Sequence, residues 1–158
     1  MSYWKAKLGI VLALLLFSAP ASFAAEYEWK DASGTVKSLA DYKGESVVLH
    51  FWASWCPPCR TEMPEMEAWS REHPDVKMII VSLDNNIANA QAFLDSKGIA
   101  FPALKGDMGR AQRLGVRGLP TTLVIGSESD IIKTRVGSLN WADQAASDEI
   151  LQALKSDS

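Results

Sequence analysis

The chain has two cysteines, and both lie in one run, Phe51-Trp52-Ala53-Ser54-Trp55-Cys56-Pro57-Pro58-Cys59. The run joins segments of different character. Val47–Trp52 is almost wholly apolar and β-branched or aromatic, as a strand covered on both faces requires. Residues from Pro57 to Glu72 read as a helix, whose two opening prolines are tolerated in a first turn where N–H groups lack partners anyway. A lone CxxC between an apolar strand and a helix is the sequence form of a dithiol that cycles between thiol and disulfide.

The spacing suits that chemistry. Two intervening residues let one sulfur attack a partner disulfide and the second resolve the mixed disulfide. A helix starting near Cys56 aims its orphan N–H groups and positive dipole end at the first sulfur. That favours the thiolate, the reactive form. A structural staple fits less well, because so short a loop removes little unfolded-state entropy. A structural zinc site needs about four ligands, and only His50 and His73 remain to complete one. Inert thiols are the remaining bland alternative.

The first residues read as a secretory leader rather than as fold. Lys5 and Lys7 precede an apolar run over 8–17, Pro20 breaks it, and Ser22-Phe23-Ala24 offers small residues for cleavage after Ala24. The run is short for a bilayer span, which takes about 20 apolar residues. An uncleaved anchor facing the periplasm is the alternative. The expected organisation is a signal peptide over 1–24 and one domain over 25–158, placed in the periplasm, where a disulfide persists. From residue 25 onward, 14 basic residues face 19 acidic ones, a net −5. No basic run or aromatic–basic stripe appears, so nucleic acid is excluded as a partner. No dimerisation segment is visible, and a monomer is expected.

Further elements follow from pattern. Short strands are expected over 26–29 and 35–39, and a second buried strand over 76–83. Asn85 or Asn86 caps a helix that runs to Lys97 and stops at Gly98. Residues 101–104 are short and extended, and 108–114 form a short helix. Thr121–Ile125 and Ile131–Val136 pair as a hairpin around Gly126–Asp130. An amphipathic helix over 141–154 closes the chain. Pro64 falls inside the first helix and should kink it. This order gives an α/β fold, a mixed sheet with helices on both faces. Met63, Met66, Met78 and Met108 read as core gap-fillers rather than copper ligands.

This element order, with FWASWCPPC and the later Gly118-Leu119-Pro120-Thr121, resembles the thioredoxin-like superfamily. Trp55 to Pro64, Thr35 to Gly44 and Gly115 to Thr122 narrow the resemblance to exported TlpA/ResA/DsbE-type thiol–disulfide oxidoreductases. It covers nearly all of residues 26–155 and implies an N-terminal β extension to the thioredoxin-like fold. It implies Cys56 as exposed nucleophile, Cys59 as buried resolving thiol, and their redox-active disulfide as the only redox group, with no cofactor or metal. It implies a cis Pro120 packed beside the CxxC, with Leu119 offering its backbone to an extended substrate. Trp55 and Pro57 shape that docking surface, whereas Trp52 is core.

Glu62, on the helical turn after Cys59, corresponds to an acid that tunes the cysteines in that group. His50 departs from the pattern, since thioredoxins carry aspartate there and TlpA-like chains often asparagine. Neutral, it could accept the Cys59 proton. Protonated, it would favour a thiolate and a more oxidising disulfide. Both residues have plain alternatives, a solvated helix-face glutamate and a hydrogen-bonded core histidine. His73, at a helix end, reads as surface.

The resemblance implies exchange with protein thiols and disulfides, chiefly as a reductant for apocytochrome c or copper-site cysteines. Electrons would arrive from a membrane thiol transporter. The alternatives are an oxidant or isomerase, a thiol peroxidase and a copper chaperone. Peroxiredoxins usually place threonine three residues before the nucleophile, where this chain has Ala53. Copper chaperones of this fold usually use CxxxC with a distant histidine.

Overall fold

The computed structural model describes residues 23–157. The expected leader therefore lies almost entirely outside the described residues. A 3-10 turn at Phe23–Glu26 precedes β1 (Glu28–Lys30) and contains the expected cleavage point after Ala24. β2 (Val36–Ser38) follows, and a second 3-10 turn at Leu39–Tyr42 leads towards β3 (Val47–Trp52). Then come α1 (Pro57–Glu72), β4 (Lys77–Ser82), α2 (Ile87–Lys97), β5 (Leu104–Lys105), α3 (Met108–Arg113), β6 (Thr121–Ile125), β7 (Ile131–Val136) and α4 (Gln144–Lys155).

The seven strands form one mixed sheet in the order β2-β1-β5-β4-β3-β6-β7. β3 pairs parallel with β4 and antiparallel with β6. β1 and β2 form the expected N-terminal extension, joined antiparallel to β5 at one edge. β6 and β7 form the expected hairpin.

All six residues of β3 are buried, so the strand divides two cores. Successive side chains point to opposite faces. Val48 and Trp52 face a cluster with Cys56, Cys59, Met63 and Met66, Phe93 of α2, and Ile150 of α4. Val47, Leu49 and Phe51 face Tyr27, Trp29, Leu39 and α3.

Most caps fall where the pattern puts them. The Asn86 side chain accepts the Ala88 N–H at 3.0 Å, and Gly98 ends α2 at φ 64°. The last helix differs. Asp143 accepts the Ala145 N–H and starts α4 at Gln144, leaving Trp141 before the helix. Trp141 is nevertheless only 3% exposed, so its apolar signal reflects core packing rather than helical periodicity. α1 continues through Pro64 to Glu72. Met108 is a correction. It is 37% exposed at the start of α3, not a core filler, because α3 turns its apolar face at Ala111 towards the sheet.

Candidate active site

Cys56 sits as the residue before the first turn of α1, with extended backbone. Its N–H donates to the Ala53 carbonyl at 3.1 Å, and its carbonyl accepts from Arg60 at 3.1 Å. The CxxC loop is thus folded into the helix start, and Cys56 and Cys59 are joined as a disulfide with Cα atoms 5.3 Å apart. Both sulfur-bearing residues are buried, Cys56 at 4% exposure and Cys59 at 0%. Cys56 is less open than expected because the loop packs it into the first core. It still lines an open groove, and Cys59 does not.

That groove, about 480 Å3, runs between the loop, the start of α3 and the segment before β6. Trp55, Pro57 and Leu119 line it, and Trp55 is 61% exposed. The Leu119–Pro120 bond is cis, as the resemblance implies. Pro120 itself is buried, and its carbonyl accepts the Gly137 N–H at 2.8 Å. Trp52 is core at 1% exposure and packs on Phe93 at 5.5 Å.

In the core that also holds the disulfide, a polar cluster sits among otherwise apolar side chains. His50 shares the sheet face of Val48 and Trp52 by strand alternation. Its Nδ1 lies 2.9 Å from the Thr122 hydroxyl on β6. Its Nε2 lies 3.2 Å from Oε1 of Glu62, at an angle short of an aligned hydrogen bond. The other Glu62 oxygen accepts the Leu139 N–H at 2.9 Å. Glu62 is 4% exposed, so it is no solvated helix-face acid. It lies one turn beyond Cys59, with both turned inward. The Trp141 ring stands edge-on to His50 at 6.2 Å.

Residue pattern did not single out Asp84. Its carboxylate, 2% exposed, accepts the Ser54 N–H at 2.8 Å and the Ser54 and Ser82 hydroxyls at 2.7 Å each. It pins Ser54, two residues before Cys56, to the end of β4. Ser-x-Asp at a strand end was its signal, too common to stand out. His73 stacks on Trp69 at 4.3 Å and caps α1 rather than standing free. Among the described residues no group of three or more His, Cys, Asp or Glu could hold a metal.

A family model described as AhpC/TSA family matches residues 20–134. The chain belongs to the AhpC/TSA family. Thioredoxin-like protein YneN of Bacillus subtilis is 34% identical over 120 residues, 73% of this chain and 71% of that one. Thiol-disulfide oxidoreductase ResA of Halalkalibacterium halodurans is 33% identical over 120 residues, 73% of this chain and 68% of its own length. A solved structure from Chlorobium tepidum, assigned provisionally as a thiol:disulfide interchange protein DsbE, is 31% identical. It superposes with a TM-score of 0.71 over 83% of this chain and 94% of that one. The chain is a thiol–disulfide oxidoreductase of this ResA/DsbE type with a thioredoxin-like fold.

Proposed function

We propose that the enzyme is a periplasmic reductant of protein disulfides, acting through Cys56 and Cys59 with no other cofactor. The observation that carries this reading is the buried Glu62–His50 pair in the core that holds the disulfide, with Glu62 one helical turn beyond Cys59. In the forward direction the Cys56 thiolate attacks a client disulfide. A Cys56–client bond forms, and one client sulfur leaves as thiolate and takes a proton from water. Cys59 then gives its proton to the Glu62–His50 pair and attacks Cys56. The Cys56–Cys59 bond forms, the second client sulfur leaves, and two electrons have passed to the client. Glu62 borders a shallow surface cleft with Thr61 and Ser138, which offers the proton a way out.

Trp55, Pro57, Leu119 and Pro120 hold the client segment against Cys56. A carboxylate under the sulfurs disfavours a second negative charge there. It therefore favours the disulfide over the thiolate and points to a reducing couple. A membrane thiol transporter would return the electrons, and cytochrome c maturation or copper-site reduction supplies the client class. No helix among the described residues is long and apolar enough to cross a membrane. In this reading the leader is cleaved and the exported domain is a monomer.

The deciding experiment is the equilibrium redox potential of the Cys56–Cys59 couple, titrated against dithiothreitol or glutathione and read by tryptophan fluorescence. A potential well below the glutathione couple is expected. One well above it would overturn the reductant reading in favour of an oxidant or isomerase.

A further inference from the structure

The groove beside Cys56 has an uneven chemistry. Among the described residues five large apolar side chains are exposed, and two of them, Trp55 and Met108, stand in it together. The other three, Val36, Ile131 and Val136, lie on strands β2 and β7 at the two edges of the sheet. A shared exposed apolar platform at a reactive sulfur marks a binding surface. Among the described residues Arg117 is the one charged residue lining the groove, and no carboxylate lines it. Arg117 is exposed, and it has no ion pair or side-chain hydrogen bond among the described residues. The nearest acid along the chain from Met108 is Asp107. Its carboxylate is engaged in capping α3 through the Arg110 N–H at 2.7 Å. Arg60, one residue beyond Cys59, rests over the Phe93 ring at 5.3 Å and adds no negative charge.

This local sign opposes the molecule's own. From residue 25 onward the chain carries a net −5. The far field therefore attracts basic segments, and the groove attracts acidic ones. Exposed charges more than about 8 Å apart are largely screened at physiological salt. Arg117 therefore decides at contact range. We infer that the groove selects client segments in which an apolar side chain and a carboxylate flank the reacting cysteine. The apolar group rests on Trp55 and Met108, and the carboxylate meets Arg117. This rests on the exchange through Cys56 proposed above. Arg117 is a specificity-determining residue in it, with no part in electron transfer.

The test uses three matched peptide disulfides that differ in one residue beside the cysteine: Glu, Gln or Lys. The fully reduced protein is mixed with each, and the second-order rate is read by tryptophan fluorescence. The Glu peptide should react about two- to five-fold faster than the Lys peptide, the scale of one exposed ion pair. The Gln peptide should fall between them, and high salt should close the gap. Arg117→Glu should reverse the order. Lys155→Glu makes the same charge change at the C-terminal end of α4, beside the Asp157 contacts to Ser46 and Ser127 at the opposite end of the sheet, and should preserve it. Equal rates for the Glu and Lys peptides, or an unchanged order in Arg117→Glu, would overturn the inference. Uncharged 2-hydroxyethyl disulfide separates the two levels of argument. If the reduced wild-type protein fails to react with it, the Cys56 exchange itself is wrong and this inference falls with it.

Discussion

At the scale of the residue, the Glu62–His50 pair is the feature that sets this site apart. Two polar groups at 4% and 1% exposure cost stability unless they satisfy each other. Thr122 and the Leu139 N–H satisfy the outer atoms, and the inner atoms face each other at 3.2 Å. Glu62→Gln keeps an oxygen for Leu139 but removes the proposed proton acceptor. It should slow the resolving step by roughly a hundredfold, the usual scale for a general base. A Cys56 mixed disulfide should then accumulate, visible by mass spectrometry after acid quench. A purely structural Glu62 would lower stability without trapping that species. His50→Asn should shift both the redox potential and the pH dependence of the rate. If neither moves, the histidine is only a packed core residue. Cys59→Ser should trap client proteins on Cys56, whereas Cys56→Ser should trap none.

Among the elements, the end of β4 carries more than strand pattern suggests. Asp84 holds Ser54 and Ser82 through three short hydrogen bonds, and Ser54 leads directly into the Cys56 loop. Asp84→Ala should cost about 3 kcal/mol in urea unfolding, because it leaves the buried Ser82 hydroxyl and the half-buried Ser54 hydroxyl and N–H facing a gap. Asp84→Asn should cost less, since the amide still accepts one of them. A loss below 1 kcal/mol for Asp84→Ala would show that the loop holds itself. The contrast with α2 explains what sequence could reveal. Asn86, Gly98 and the apolar run of β3 act on their immediate neighbours, and local pattern exposes them. The strand–CxxC–helix junction and the cis proline were likewise legible, through motif and resemblance. Asp84 and Ser54 are thirty residues apart. Glu62 meets His50 only once α1 has folded back over β3. The start of α4, at Gln144 rather than at Trp141, escapes local pattern for a related reason. Trp141 has an apolar side chain with a core partner in His50 and Trp69, and that partner is invisible along the chain.

For the whole molecule, the sheet separates a redox core from a second core sealed by the N-terminal extension. The two ends of the pH range act on different parts of this body. On the acid side, the backbone N–H of Ser127, then the Ser46 hydroxyl, hold the Asp157 carboxyl below its usual range. A depressed carboxyl contributes stability above its unfolded value, and that stability is lost as pH falls through the folded one. On the alkaline side, the sensitive group is Tyr27 in the second core. Burial pushes its phenol well above the ordinary tyrosine range. Its ring meets Phe51 edge-on at 5.2 Å, and its hydroxyl is shut in with no aligned partner. The hydroxyl packs against Gly106, where an added Cβ would collide with it and lie 2.5 Å from a Val81 methyl carbon. The unfolded chain releases the phenol proton near pH 10, while the folded chain must keep it. The unfolded state then binds fewer protons, so stability falls as pH rises above about 10. Tyr27→Phe removes the ionisable group without opening a cavity or breaking an aligned hydrogen bond. It should leave urea stability at pH 7 within about 1 kcal/mol of the parent. It should also flatten the decline between about pH 9.5 and 11. If the parent and Tyr27→Phe decline with the same slope, alkaline unfolding starts elsewhere, and the second core does not govern it.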